Sequence, residues 1–129
     1  MKGIAAYSRN RIESAPPEQI LVMLLEKALE KEEVAREAIL SGDRARRNAA
    51  LHHTRAVFIE LLSALDHSEA PEVTVPLANT WNWCLHQLLS VGRTGDLALL
   101  AKVEQVTRMM HETWVQAVAI RDNEIAEAS

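Results

Sequence analysis

Along this 129-residue chain the apolar positions recur mostly at helical spacing, but in one place they run together. From Ile20 to Leu25 six apolar residues stand in a row, within the stretch Pro16–Leu29. An amphipathic helix needs an apolar stripe covering about a third to a half of its circumference. Six consecutive apolar residues cover every side of more than one full turn. Some of these side chains must meet a second surface, supplied by another part of the chain or by a partner.

The pattern predicts four helices. The first runs Pro17–Leu40. Pro17 suits the first helical position, where its missing N–H costs nothing, and Glu18 places negative charge at the positive end of the helix dipole. The run Glu30–Glu33 is read as a solvated face, after which Val34, Ala35, Ala38 and Ile39 resume the apolar stripe. Gly42 is a suitable stop. Asp43 can cap a second helix, Arg44–Leu65, whose apolar faces include Leu51, Phe58, Ile59, Leu61 and Leu62. Arg44, Arg46 and Arg47 lie at its positive end, where cations are mildly unfavourable, and are read as solvated surface.

Asp66–Glu72 is a loop by composition. A third helix is predicted at Val73–Val91, where Pro76 is tolerable only in the first turn. Trp81 and Trp83 lie two residues apart on it, so they point about 200° apart. One is expected in the core and the other in a groove or at an interface. Gly92–Gly95 reads as a turn, Asp96 as a cap, and a fourth helix as reaching Glu124 with Trp114 in the core. Ser41-Gly42-Asp43 and Thr94-Gly95-Asp96 each stop one helix and cap the next.

Four helices joined by short connections predict an all-α fold, an antiparallel up-down four-helix bundle with a short N-terminal arm or helix. Residues 1–15 form the arm and residues 16–129 the bundle, as a single domain. In the arm Ile4 and Tyr7 share a face if it is helical, and a mobile flap over an apolar groove is the functional reading of that segment.

Composition narrows the chemistry. Gly and Pro number four each, and strand-like β-branched or aromatic runs are absent. The formal net charge of −4 argues mildly against general nucleic-acid binding, which wants a basic face. Locally the charge is uneven: Lys2, Arg9 and Arg11 make the start basic, while Asp122, Glu124 and Glu127 make the end acidic. Cys84 is the single cysteine, so no intramolecular disulfide or cysteine-based zinc site can form, and it is expected to be a small core residue. No apolar run approaches the roughly 20 residues of a membrane span, and the N-terminus lacks the apolar core of a signal peptide. The expectation is a cytoplasmic protein without stable membrane insertion.

Catalytic readings are weak. No Asp or Glu has a His three positions on, which the di-metal bundles require, and no Gly-rich phosphate loop is present. No cofactor, metal or enzymatic activity is expected. His52, with Arg55 three residues on and Ala56 four on, loosely matches a histidine phosphotransfer domain, which is also a four-helix bundle. A helical adaptor of unrelated ancestry is a further alternative.

An ordered set of residues carries a more extensive resemblance. Tyr7, Asn10 and Ile12 are followed by Ala15-x-Pro17-Glu18-Gln19-Ile20-Leu21-Val22-Met23-Leu24 and Ala28. Gly42-Asp43, Leu61-Leu62-x-x-Leu65-Asp66, Trp81-x-Trp83 with Leu88-Leu89, and Asp96 with a helix ending near Trp114 come later, in order. Together they resemble the flagellar export chaperone FliS family, over nearly the whole chain. The departures are Pro16 for a capping Ser, Leu25-Glu26-Lys27 for Tyr-Asp-Gly, and Thr113 for the Ala before Trp114. The resemblance implies a small cytosolic helical chaperone that binds the C-terminal segment of flagellin, prevents premature polymerisation and helps deliver it to the flagellar export gate. It also implies client contacts at Tyr7 and Ile12 on the arm, at Ile20, Leu21, Leu24, Leu25 and Ala28 on the first helix, and at Trp81 and Trp83.

Overall fold

A computed structural model describes residues 17–128, which form four α-helices: α1 (Pro17–Ser41), α2 (Arg44–Ser63), α3 (Pro71–Thr94) and α4 (Leu97–Ala128). Each packs on its neighbours in order, and α4 closes the ring against α1, giving an antiparallel up-down bundle. The expected N-terminal arm lies outside the described residues.

The two short connections follow the sequence closely. Gly42 and Gly95 take the left-handed backbone, with φ of +74° and +67°, a conformation that costs a residue with a Cβ more than it costs glycine. Asp43 then accepts the Arg46 amide at 3.0 Å, and Asp96 accepts the Leu99 amide at 3.1 Å. Both side chains thus satisfy backbone donors that the first turn of a helix leaves open.

The third helix departs from expectation at both ends. It begins at Pro71 and runs through Gly92 to Thr94, so only Gly95 ends it. Pro76 consequently lies in the second turn rather than the first. Its ring removes the bond that would return to the Glu72 carbonyl, and because Glu72 is exposed, water can serve that carbonyl instead. The fourth helix is longer than predicted, with 32 residues.

Inward positions step by three and four on every helix: Leu25, Ala28, Glu32 and Ala35 on α1; Leu51, Thr54, Phe58 and Leu61 on α2; Trp81, Cys84, Leu88 and Val91 on α3; Leu100, Val103 and Thr107 on α4. This alternation keeps one seam of each helix facing its neighbours. Trp81, Cys84 and Phe58 are fully buried, as the sequence predicts for Trp81 or Trp83 and for Cys84.

Glu32 corrects the reading of Glu30–Glu33 as a solvated face. It occupies an inward position and is 0 % exposed. Thr107 Oγ1 lies 2.8 Å from Glu32 Oε2 and 2.9 Å from the Val103 carbonyl. One hydroxyl proton serves only one acceptor at full strength. Burial pushes the Glu32 carboxyl up to about 8, with the nearby Glu104 adding to the effect. At neutral pH Glu32 is therefore mainly protonated and can itself donate to Thr107. One turn away, Arg36 bonds Glu104 at 2.9 Å and also pairs with Glu33. These contacts hold α4 in register on α1.

Candidate binding surface

Burial is unevenly distributed along the bundle axis. Toward the Gly42 and Gly95 turns every helix has fully buried side chains. Toward the opposite end, no residue of α1 described before Leu25, of α3 before Trp81 or of α4 after Thr107 is fully buried. Yet these segments are apolar. Ile20–Leu24 are half-buried, and Met109 and Ile120 are 60 % and 59 % exposed.

Two grooves flank the second half of α4. The larger, about 350 Å³, lies between α3 and α4 and is lined by Val73, Pro76, Leu77, Thr80, Met109 and Trp114 among others. The second, about 240 Å³, lies between α1 and α4, with Gln19, Val22, Met23, Val115 and Val118 along it. The methionines suit such a surface, since unbranched thioether side chains repack readily against differently shaped partners. Polar contacts fix the helices beneath the grooves. Trp81 Nε1 donates to Met110 Sδ at 3.3 Å, His111 Nε2 lies 3.2 Å from Glu26 Oε1, and Glu18 pairs with Arg121.

The residues singled out from the sequence separate into three groups. Ile20, Leu21 and Leu24 are half-buried on the open end of α1. Trp83 is 37 % exposed and lies on the same flank of α3 as Thr80, one turn away. Leu25, Ala28 and Trp81 are fully buried core, so they are closed to direct contact with a partner, and among the described residues neither groove is lined by any of those singled out for client contact. Tyr7 and Ile12 lie outside the described residues. Trp114, expected in the core, packs on it only in part and forms a wall of the larger groove.

Sequence reasoning missed the contribution of α4 and of the first turns of α3. The signal was present in the doublets Met109-Met110 and Trp114-Val115, which widen the α4 stripe beyond one face in the way Ile20–Leu25 widens that of α1.

Perturbed titratable groups do not converge on either groove. Burial raises the Cys84 thiol to about 12, leaving it a packing residue. Glu32 is likewise enclosed in the core, and neither group lines a groove. His52 is exposed on α2, and burial together with Lys31 lowers the neighbouring His53. Among the described residues no group of three His, Cys, Asp or Glu side chains could hold a metal ion, and no helix is long and apolar enough to cross a membrane. The arrangement offers apolar area for a partner segment.

Comparison with known proteins bears on what that partner is. The model of the family described as "Flagellar protein FliS" matches residues 1–121. The chain is 25 % identical over 113 residues to a protein of Bacillus subtilis (strain 168) named "Flagellar secretion chaperone FliS", covering 88 % of this chain and 84 % of that one. A protein of the same name from Campylobacter jejuni subsp. jejuni serotype O:6 (strain 81116 / NCTC 11828) is 28 % identical over 109 residues, covering 84 % and 85 %.

Proposed function

Because the chain belongs to the FliS family of flagellar proteins, we propose that it is a cytosolic, non-enzymatic export chaperone that binds the C-terminal segment of flagellin. Binding blocks premature polymerisation and presents the client to the flagellar export gate. The observation that carries this reading is the pair of apolar grooves flanking α4 at the loosely packed end of the bundle.

The physics is helix-in-groove recognition. A disordered client segment folds as its apolar side chains enter the grooves. Its ordering cost is met by burial at roughly 25 cal/mol per Å², and neither nucleotide nor metal is needed. In this reading Ile20, Leu21, Leu24 and Trp83 extend the client surface beyond the residues that line the two grooves, above the buried Leu25, Ala28 and Trp81. Tyr7 and Ile12, on the arm, cover part of it in the resting protein. The substitution of Leu25-Glu26-Lys27 for the family's Tyr-Asp-Gly changes the α1 edge, where Glu26 faces His111, and adapts that edge to the client of this particular chaperone.

The test is calorimetric titration of the full chain with purified flagellin, with flagellin lacking its C-terminal segment, and in parallel with a chain lacking residues 1–15. Saturable binding that requires the C-terminal segment and tightens when the arm is removed is the expected result. Equal binding of the truncated flagellin would refute the client assignment, and unchanged affinity without residues 1–15 would refute the covering role of the arm.

A further inference from the structure

We infer that the groove between α3 and α4 selects a client helix whose apolar stripe is flanked by lysine or arginine. This rests on the groove-docking reading above and adds to it the charge of the occupant.

The charges around the groove are almost all of one sign. The segments 64–83 and 109–128 carry seven acids, Asp66, Glu69, Glu72, Glu112, Asp122, Glu124 and Glu127, against the single cation Arg121. All seven acids are exposed. Arg121 is already engaged by Glu18 and Asp122. Among the described residues, Glu69, Glu72, Glu112, Glu124 and Glu127 form no ion pair. Among the described residues, one exposed cation, Arg108, directly precedes the lining residue Met109, and Lys27 is exposed on α1; the others on α3 and α4, Arg93 and Lys102, lie toward the other end of the bundle with Arg44 and Arg46.

Position makes these acids directional. Glu72 is itself part of the groove lining. On α4 the steps Thr113, Ala117, Ile120, Glu124 and Glu127 follow one flank of the helix, so Glu124 and Glu127 share the flank of Thr113, about 16 and 21 Å further along the axis, within reach of a bound helix that runs on past the groove. Helix energetics favour the opposite placement: the last turns of a helix carry negative dipole charge and prefer Lys or Arg, whereas the last turn of α4 has no basic residue. A fold that needed only a stable α4 would not concentrate acids there. A helix docked in the groove brings residues three and four positions from its apolar stripe over the two rims, within the ~8 Å Debye length at physiological salt.

The inference is tested with the full chain and two labelled synthetic peptides of about 16 residues, four to five helical turns. Both carry the same apolar stripe, one flanked by lysine and the other by glutamate. Fluorescence anisotropy at low salt should give the lysine peptide about tenfold or more tighter binding, with the difference falling below about threefold near 0.5 M salt as screening shortens the reach of the charges. Glu72→Lys with Glu124→Lys should reverse the order of the two peptides. If Glu72→Lys disturbs the start of α3, as judged by circular dichroism, Glu124→Lys with Glu127→Lys tests the same rim. Equal affinities for the two peptides would overturn the charge selection and leave the groove reading standing. Equal binding of a scrambled lysine peptide lacking the apolar stripe would overturn it too, since charge alone would then suffice. If neither peptide binds, the groove reading fails with it. Self-association that neither peptide displaces would assign the groove to a second copy of the chain and also overturn the proposal.

Discussion

At the end marked by Gly42 and Gly95, the helices meet through Ala35 and Ala38 on α1, Leu88 and Val91 on α3, and Leu100 and Val103 on α4, all of them fully buried. At the other end the same three helices present Ile20–Leu24, Val73–Leu77 and Met109–Ile120, none of which contains a fully buried residue. Apolar content alone does not separate the two ends. What differs is how the side chains meet. Small residues at the turns let the helices approach closely, whereas α3 and α4 near their free ends leave a groove along the thinnest seam of the ring. One end therefore closes its apolar surface within the fold, and on α1, α3 and α4 the other leaves apolar surface open.

The largest test of that division is Leu88→Ala, at a fully buried side chain of the packed end. Removing a buried leucine side chain should cost about 2–5 kcal/mol, read as a lowered midpoint in urea by circular dichroism. A loss below about 1 kcal/mol would mean that the packed end is less tightly built than its burial implies.

Glu32→Gln should have the next largest effect, with the opposite sign at high pH. The Glu32 carboxyl is raised from 4.5 to about 8 in the folded protein. Between those values the folded state holds a proton that the unfolded state has released, so this group makes stability fall as pH rises across the window. Below it both states are protonated and no penalty remains; above it both are ionised and the penalty is complete. Gln keeps an oxygen for Thr107 but buries an amide N–H₂, which offsets part of the gain. The variant should be more stable than the native chain by about 2 kcal/mol near pH 8.5, with a smaller difference near pH 5. Parallel stability-against-pH curves for the two proteins would show that Glu32 ionises freely in the fold.

The smallest expected effect on stability sharpens the contrast from the open side. Met109→Ser with Ile120→Ser changes two side chains that are mostly exposed. Thermal unfolding should shift by no more than about 0.5 kcal/mol per site, while affinity for the flagellin C-terminal segment should fall about tenfold. A large stability loss with unchanged binding would reverse the roles assigned to the two ends.

Much of the fold was legible because its signals are local. Gly42, Asp43, Gly95 and Asp96 act on backbone within a few residues, so the turns and caps appear where the sequence places them. The tryptophan pair was legible for a similar reason: residues two apart on a helix cannot share a face, and Trp81 is buried while Trp83 is partly exposed. Glu32 was hidden by its neighbours. Within Glu30–Glu33 it looks solvated, and only the three-and-four stepping through Leu25, Ala28, Glu32 and Ala35 identifies it as inward. Pro76 was misplaced because an exposed carbonyl near a helix start tolerates the loss of a bond that an interior one would not.

The sequence by itself determined four helices, their turns, their inward seams and the resemblance that family comparison bears out. It also determined that Ile20–Leu25 exceeds what one core face can use. Only the tertiary structure decided how that excess is divided. It buries Leu25 completely, leaves Ile20–Leu24 half-buried beside the α1–α4 groove, and brings Val73 and Pro76 opposite Met109 and Trp114. Helical periodicity fixes which residues share a face. Whether two faces close on each other or leave a groove depends on side-chain volumes and register between helices distant in sequence, and that information exists only once the bundle has formed.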